Sequence, residues 1–441
     1  MTDPTAFPKP LKALYHTFGC KLNFAETASV ADEFARRGVS PVGKDETPDI
    51  IVVNTCSVTG EADRKCRSAI RSFNRRYPQA LILVTGCYAQ LKPGEVSELP
   101  GVAVVAGVNG KLGLVDYAMS YFAERKPLCD VPDAKNLRDF MPSCSRGNRT
   151  RYFLKVQDGC NYWCTYCTIP KARGRSRSGT IPEIVAQAEA AAQAGGTEIV
   201  ITGVNIGDFG YGRDDRFIDL CRELDRVEGI ERYRISSIEP NLLTDELIDF
   251  VASSRRFMPH FHIPLQCGDD EVLALMRRRY DRALFAHKVD RIRHALPDAF
   301  IGVDLIVGAR GETPERFESS RAFVDGLDIS HLHVFPYSER PGTKALEIDY
   351  AVEQQEKHRR CAIMMEISAR KHREFASRFI GTDRPVLIEH GLEGQPTGGF
   401  TDNYLRVETD LGADYDNKVC MMKLGELNDD GETLSATLSE K

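Results

Sequence analysis

A chain of 441 residues is long for one domain and carries about two to four. An apolar share of 42%, a charged share of 28% and a formal net charge of −6 exclude a disordered chain and a uniformly basic nucleic-acid binder, so any RNA contact has to come from local patches. No apolar run approaches membrane-span length, the N-terminal MTDPTAFPKPLKAL lacks an apolar signal core, and thirteen cysteines without an export signal predict reduced thiols and metal ligands in a cytoplasm rather than a disulfide framework.

From Leu11 to about Arg125, short apolar runs alternate with amphipathic stretches. The runs are Ala13-Leu14-Tyr15, Ile50-Ile51-Val52-Val53, Leu81-Ile82-Leu83-Val84 and Val102-Ala103-Val104-Val105, and the patterns between them predict helices over 23–37, 62–76 and 112–124. Continuous apolar runs alternating with helices predict a parallel sheet covered on both faces. Cys20, Cys56 and Cys87 each follow the end of a predicted strand. Singly, each reads as a core thiol. The carboxyl ends of parallel strands share one edge, however, so the three are expected to converge there as soft-metal ligands.

The next stretch reads as a linker, solvated or facing RNA. Pro127, Pro132, Pro142 and Gly147 interrupt it, Ser143, Ser145 and Asn148 make it polar, and Arg146, Arg149 and Arg151 make its end basic. A second segment, to about Phe379, predicts strands over 151–157, 198–202, 231–236, 260–265, 300–307 and 330–334 with helices over 182–194, 217–227, 244–253, 282–295 and 314–325. These six units are too few to close the eight of a complete (β/α) barrel. The first strand delivers Gly159-Cys160-Asn161-Tyr162-Trp163-Cys164-Thr165-Tyr166-Cys167. Three thiols so close together, beside aromatics, point to zinc or an iron–sulfur cluster. No second cysteine pair and no histidine follow at zinc-knuckle distance. A four-iron cluster normally takes four thiolates, so three leave one iron with an open position.

Polar residues at strand ends are candidates for cofactor or substrate contacts, with turn formation or strand capping as the alternative: Gly203 and Asn205, Ser237 and Glu239, Gln266, and Asp304. Arg173, Arg175 and Arg177 follow the cysteine loop directly, where phosphate contacts are expected. Arg277-Arg278-Arg279-Tyr280 complements a helix end or meets RNA. Residues 351–379 predict one long helix, a strut back toward the first domain with solvated charges. Alternating runs at 384–390, 401–408, 417–423 and 433–439 predict a small all-β barrel, in which Tyr404 either stacks on a base or packs in the rim. Cys66, Cys129, Cys144, Cys221, Cys267, Cys361 and Cys420 have no partner spacing and read as structural. His260 and His262 share a strand face without forming a recognisable site.

The C-x3-C-x2-C run resembles that of the radical S-adenosylmethionine superfamily. Gly19-Cys20-Lys21-Leu22-Asn23, Asn54-Thr55-Cys56-Ser57-Val58-Thr59 and Gly86-Cys87-Tyr88-Ala89-Gln90 resemble the three cysteine motifs of its methylthiotransferases. Phe400-Thr401-Asp402-Asn403-Tyr404 resembles the TRAM domain that ends many of the tRNA-modifying members. The resemblance spans about Leu11 to Ser439. It implies an α/β multidomain chain: a methylthiotransferase N-terminal parallel-sheet domain (11–125), a linker (126–145), an open six-unit (β/α)6 radical core (146–374) and an OB-like TRAM barrel (376–440). It implies two 4Fe–4S clusters, one on Cys160, Cys164 and Cys167 and an auxiliary one on Cys20, Cys56 and Cys87, together with S-adenosylmethionine as methyl donor and radical source. Tyr166, Gly203, Asn205, Ser237, Glu239, Gln266 and Asp304 are the S-adenosylmethionine contacts it implies, and Arg173, Arg175, Arg177 and Tyr404 the RNA contacts.

Three branches share this pattern, acting on tRNA N6-threonylcarbamoyladenosine at position 37, on N6-isopentenyladenosine at that position, or on a ribosomal-protein aspartate. Val58-Thr59-Gly60-Glu61-Ala62-Asp63-Arg64-Lys65 and Val156-Gln157-Asp158-Gly159-Cys160 resemble the first most closely, although Trp163 and Lys171 stand where that branch has Phe and Tyr. The implied product is the 2-methylthio base. The implied partners are the tRNA anticodon loop, an electron donor such as a flavodoxin or ferredoxin, and a sulfur source, with no membrane. From the residues alone, a non-catalytic iron–sulfur or zinc protein that binds RNA stays open.

Overall fold

The computed structural model describes residues 7, 10–43, 46–145, 150–391 and 396–439. Arg146, Gly147, Asn148 and Arg149 of the expected basic linker end therefore lie outside the described residues. So do most of the N-terminal segment and residues 392–395 of an expected turn.

The first domain is a six-stranded parallel sheet of β1 (Leu11–Thr17), β2 (Val39–Pro41), β3 (Ile50–Thr55), β4 (Leu81–Gly86), β5 (Val102–Ala106) and β6 (Leu128–Asp130), in the order β2-β1-β3-β4-β5-β6. Its helices are α1 (Lys21–Arg36), α2 (Gly60–Arg76), the short α3 (Cys87–Leu91) and α4 (Pro93–Ser97), and α5 (Leu114–Glu124). Side chains alternate across a strand, which explains why these strands are apolar throughout. Ile50 and Val52 join the core under α1 and α5, whereas Ile51 and Val53 join the one under α2 and α3. The strand order reverses between β1 and β3, and sheets of this kind bind ligands at such a crevice.

The expected linker is not a bare connector. It lays β6 along the edge of the first sheet, and β7 (Ser143–Cys144) runs antiparallel to the first strand of the next domain. That domain is an open barrel in two halves, parallel except for the edge strand β7. One consists of β7, β8 (Arg151–Lys155), β11 (Glu198–Thr202) and β12 (Arg232–Ile235). The other consists of β13 (His260–Gln266), β14 (Phe300–Val307) and β15 (His331–Pro336). Parallel bridges Tyr233–Phe257 and Ser237–His262 join the halves. Between β8 and β11 lie a ribbon of β9 (Gln157–Asp158) with β10 (Arg177–Ser178), and α6 (Ile169–Arg173). Around the outside run α7 (Ile181–Gln193), α8 (Phe217–Leu224), α9 (Asp245–Ser253), α10 (Asp270–Leu275), α11 (Arg282–Ala295) and α12 (Pro314–Gly326). Their N-caps are largely legible in sequence: Thr180, Thr244, Asp269, Asp281 and Thr313 each accept a backbone N–H of the first turn.

The expected strut is α13 (Gln354–Ser377): its start, at Gln354 and Lys357, lines a cleft with Thr59 and Glu61 of the first domain, but its length runs to the last domain. It packs along β15, where Ser368 Oγ receives Leu332 N–H at 2.9 Å, and its end inserts Phe375 into the core of the last domain. Its charges are also not all solvated, since Arg360 is buried between Glu312 (2.9 Å) and Glu356 (2.8 Å). The last domain is a closed five-stranded barrel of β16 (Asp383–Ile388), β17 (Thr397–Thr401), β18 (Arg406–Thr409), β19 (Val419–Leu427) and β20 (Thr433–Leu438), closing in the order β16-β17-β18-β20-β19. It seats on the N-terminal ends of the barrel strands, where Arg234 donates to Thr401 O (2.7 Å) and Asp402 O (2.8 Å). No helix among the described residues is long and apolar enough to cross a membrane.

Candidate active site

All thirteen cysteines are free thiols, and six of them occupy two strand-end sites. In the first domain Cys20 caps α1, Cys56 follows β3 and Cys87 opens α3, so the thiols flank the crevice where the strand order reverses. A polar lattice stitches these strand ends together. Asn23 Nδ2 donates to Phe18 O (2.8 Å) and Thr55 O (3.1 Å), Asn54 Nδ2 donates to Asn23 O (3.0 Å), and Thr55 Oγ1 donates to Thr85 O (2.5 Å). Two glycines allow the close approach. A Cβ on Gly19 (φ +96°) would lie 2.8 Å from Cys56 Sγ, and one on Gly86 (φ +98°) 2.4 Å from Thr55 O. Burial pushes the Cys56 thiol up to about 11, with Cys87 and Cys20 among the groups that raise it further.

The second trio sits on the loop that leaves β9. Gly159 (φ +69°) accepts no other residue, because a Cβ there would fall 2.1 Å from Arg175 O. Each sulfur receives a hydrogen-bond donor: Tyr162 N–H to Cys160 Sγ (3.4 Å), Ile169 N–H to Cys167 Sγ (3.4 Å) and Arg278 Nη1 to Cys164 Sγ (3.1 Å). Burial raises all three thiols, Cys160 to about 11 and Cys167 to about 12, with the neighbouring cysteines contributing to those two. Without metal they are protonated; a soft metal displaces those protons, and the donors already aimed at sulfur stabilise the thiolates. Among the described residues no three His, Cys, Asp or Glu side chains close around a single ion. A four-iron cluster spreads its thiolates more widely than one ion does, and three thiols are the donor set of such a group with one open position.

Helix α3, which begins at Cys87, packs against α6, which begins two residues after Cys167. Behind them lies a buried ionic cluster. Glu26 takes Lys155 (2.6 Å), Arg173 (3.0 Å) and Lys111, while Asp158 takes Lys155 (2.8 Å), Arg173 (2.9 Å) and Arg177 (3.1 Å). Positive charge exceeds negative in this cluster. Burial raises the Cys87 thiol, and Arg173 and Lys111 pull it back, so the surroundings accommodate a negative ligand set.

This arrangement corrects two expectations. Arg173 is 1% exposed and Arg177 is spent on Asp158, Asn109 and main-chain carbonyls, so neither is an RNA contact; Arg175 alone of the three is exposed. Tyr404 is not a base-stacking residue either. It packs on His260 (ring centroids 4.2 Å) and Phe400 (5.0 Å) where the last domain meets the foot of the barrel.

The strand-end residues gather around the mouth. Gln157, which sequence reasoning did not single out as functional, is buried and organises them. Its Oε1 accepts Val204 N–H (3.0 Å) and Asn205 N–H (2.8 Å), and its Nε2 donates to Gly159 O (2.7 Å). A Cβ on Gly203 would strike Gln157 O at 2.9 Å. Both polar atoms of the Asn205 side chain are buried without a partner, the state of a group that awaits a ligand. Glu239 bonds Arg278 Nη2, and Ser237 bridges to β13. A register shift in β13 brings Gln266 into the left-handed region (φ +66°) at the mouth. Burial alone would raise the Asp304 carboxyl, but a 2.8 Å hydrogen bond with His262 Nε2 outweighs it and holds the group low. Burial keeps His260, His331 and His333, which line the same lumen, neutral. Tyr166, Gln266 and Asp304 face Thr59 of the first domain and Phe335 and Ser338 of β15 and its exit across a cleft of about 260 Å³. The first-domain wall of that cleft was not anticipated, because in sequence Thr59 stands out only as part of the motif around Cys56.

Residues 12–107 match the family described as "Uncharacterized protein family UPF0004", and residues 154–324 match the Radical SAM superfamily. The threonylcarbamoyladenosine tRNA methylthiotransferase MtaB of Bacillus subtilis (strain 168) is 38% identical over 93% of this chain and 93% of its own. The MtaB of Aquifex aeolicus (strain VF5) is 35% identical over 90% and 96%. The chain belongs to the MtaB-type methylthiotransferases. It is a radical S-adenosylmethionine enzyme whose family uses 4Fe–4S clusters and S-adenosylmethionine. A tRNA-2-methylthio-N(6)-dimethylallyladenosine synthase of Syntrophotalea carbinolica is 30% identical over 86% of this MtaB-type chain and 89% of its own. The fold also matches the radical S-adenosylmethionine methyltransferase TsrM of Kitasatospora setae (TM-score 0.57, 16% identity, 76% of this chain and 77% of that one).

Proposed function

We propose that this enzyme converts N6-threonylcarbamoyladenosine at tRNA position 37 to its 2-methylthio derivative. The observation that carries the reading is 38% identity to the Bacillus subtilis MtaB across 93% of both chains, with all six motif cysteines at two strand-end sites. Cys160, Cys164 and Cys167 hold the radical cluster, and Cys20, Cys56 and Cys87 hold the auxiliary one. When bound, these groups supply the electron that splits S-adenosylmethionine and the sulfur that is methylated and transferred. The protein supplies position and dryness. Gln157 ties the cysteine loop to the turn that follows β11, Arg278 fixes Glu239 against Cys164, and Thr59 and Phe335 wall the cleft from opposite domains. Tyr166, Gly203, Asn205, Ser237, Glu239, Gln266 and Asp304 form the S-adenosylmethionine pocket. The last barrel is a TRAM domain, and the enzyme works in the cytoplasm with a flavodoxin or ferredoxin as electron donor and a separate sulfur source.

Expression in a host lacking this activity, followed by mass spectrometry of tRNA nucleosides, tests the reading. Appearance of 2-methylthio-N6-threonylcarbamoyladenosine is expected. The isopentenyl product alone would keep the chemistry and overturn the substrate. Iron and sulfide counts on anaerobically prepared protein are expected near eight of each per chain, and zinc without sulfide would overturn the radical reading.

A further inference from the structure

The cysteine loop carries a side chain that neither the clusters nor the fold uses. Trp163, the single tryptophan of the chain, lies between Cys160 and Cys164, is 47% exposed, and among the described residues meets no other ring and no cation. Its backbone is left-handed (φ +55°), a conformation that a bulky residue adopts only where its surroundings impose it. About half of the ring's surface stays open to solvent, more than packing on the loop requires.

What surrounds it is organised. The Arg279 guanidinium lies 4.0 Å from the centre of the Tyr162 ring and donates to Asn161 O at 3.1 Å, so a planar cation stands beside the loop. Arg175, exposed, follows Gly174 against the same loop, where Cys160 N–H bonds Gly174 O at 3.1 Å. Three buried polar atoms here have no partner: Asn161 Nδ2, Asp208 Oδ2 and Asn241 Oδ1. Asn241 is fixed through its other end, which donates to Tyr162 Oη at 2.7 Å. A flat half-exposed ring, two exposed arginines and unsatisfied donors and acceptors at the mouth match the surface that holds an unstacked nucleotide. An acidic redox protein would satisfy the arginines but has no need of the open amide and carboxyl groups.

We propose that Trp163 is a stacking platform for an unpaired base of the RNA loop next to the target nucleotide, with Arg279 and Arg175 holding the flanking phosphates. This rests on the reading of an RNA substrate and assigns its docking to the cluster mouth, at the opposite end of the barrel from Tyr404. A target base drawn out of a loop leaves its neighbour without a stacking partner, and Trp163 supplies one.

The cluster-loaded enzyme is titrated with a dye-labelled anticodon stem-loop RNA carrying N6-threonylcarbamoyladenosine, reading RNA anisotropy, and with the unlabelled RNA, reading the emission of the lone tryptophan. Emission is expected to be quenched with the same midpoint as the anisotropy change. Trp163→Ala is expected to weaken binding roughly five- to a hundred-fold, the share of one stacked base, while Trp163→Phe retains most of it. Iron content of each variant checks the loop, and if Trp163→Ala loses iron, wild-type emission and Trp163→Phe decide. Binding by anisotropy with unchanged emission and full affinity in Trp163→Ala would overturn the platform and leave the RNA reading intact. No RNA binding at all would overturn both. Quenching by reduced flavodoxin but not by RNA would assign the patch to the electron donor instead.

Discussion

Arg278 is the residue on which the radical-cluster loop leans most directly. Its side chain is 3% exposed and makes four kinds of contact: Cys164 Sγ (3.1 Å), Tyr166 Oη (3.4 Å), the Glu239 carboxylate, and Tyr280 Oη (3.0 Å), which in turn is anchored on Leu265 O (2.9 Å). A positive donor on a cluster thiolate favours the more reduced, more negative state. Arg278→Gln is therefore expected to shift the cluster's midpoint potential in the negative direction and to slow reductive cleavage of S-adenosylmethionine, with iron content retained. Electron paramagnetic resonance during a redox titration reads the shift, and an unchanged potential would reduce Arg278 to a packing role. The sequence shows three consecutive arginines and does not distinguish them. The fold turns Arg277 outward, buries Arg278 against the cluster loop and stacks Arg279 on Tyr162. Arg173 was illegible for the same reason. Nothing in its neighbourhood announces that Glu26, 147 positions earlier, meets it in the interior.

At the scale of elements, the strand ends decide where the thiols stand. Gly86 shows how tightly. It sits between β4 and α3 at φ +98°, and a methyl group there would fall 2.4 Å from Thr55 O and 2.6 Å from Asn54 Oδ1. Gly86→Ala must push β4 away from β3 at the point where Cys87 and Cys56 approach. The expected result is a loss of about 1–3 kcal/mol of stability from overpacking. The auxiliary cluster should also be lost, leaving iron near four per chain with the radical cluster's spectrum intact; iron near eight would show that the strand ends can adapt. The central strands and long helices were legible because continuous apolar runs and N-cap residues encode them locally. The edge strands β2, β6 and β7 were not, since two or three residues cannot display a period and their pairing is set by the sheet beside them. The direction of α13 was equally hidden. An amphipathic pattern says that one face is covered, and only the fold says that β15 and the last barrel cover it.

For the whole molecule, the two trios of cysteines belong to different domains, and their relative placement depends on how those domains dock. Glu26 on α1 is the hinge of that contact. It is 1% exposed and meets Lys111 from its own domain together with Lys155 and Arg173 from the barrel. Arg340, reaching from the far side of the barrel to Asp63 (2.9 Å) and to Ser57 beside Cys56 (2.8 Å), is the other tie. Removing one member of a buried ionic cluster leaves its partners charged and dry, so Glu26→Gln is expected to cost about 3–5 kcal/mol. The same group predicts acid behaviour. Burial alone would raise the Glu26 carboxyl, but Arg173, Lys111 and Lys155 outweigh burial and hold it well below its ordinary value. A carboxyl lowered in the folded chain makes the unfolded chain take up the proton first as pH falls. Its stabilising contribution is therefore complete at neutral pH, begins to fail as pH drops through the ordinary glutamate range near about 4, and is gone once the folded group protonates. Urea unfolding of the cluster-loaded protein at a series of pH values reads both effects. The wild-type midpoint should decline steeply on the acid side, and Glu26→Gln should start lower at neutral pH and decline less. Parallel curves for the two proteins would mean that the domains are held by apolar packing and Arg340, with the ionic cluster serving only the charge balance around Cys87.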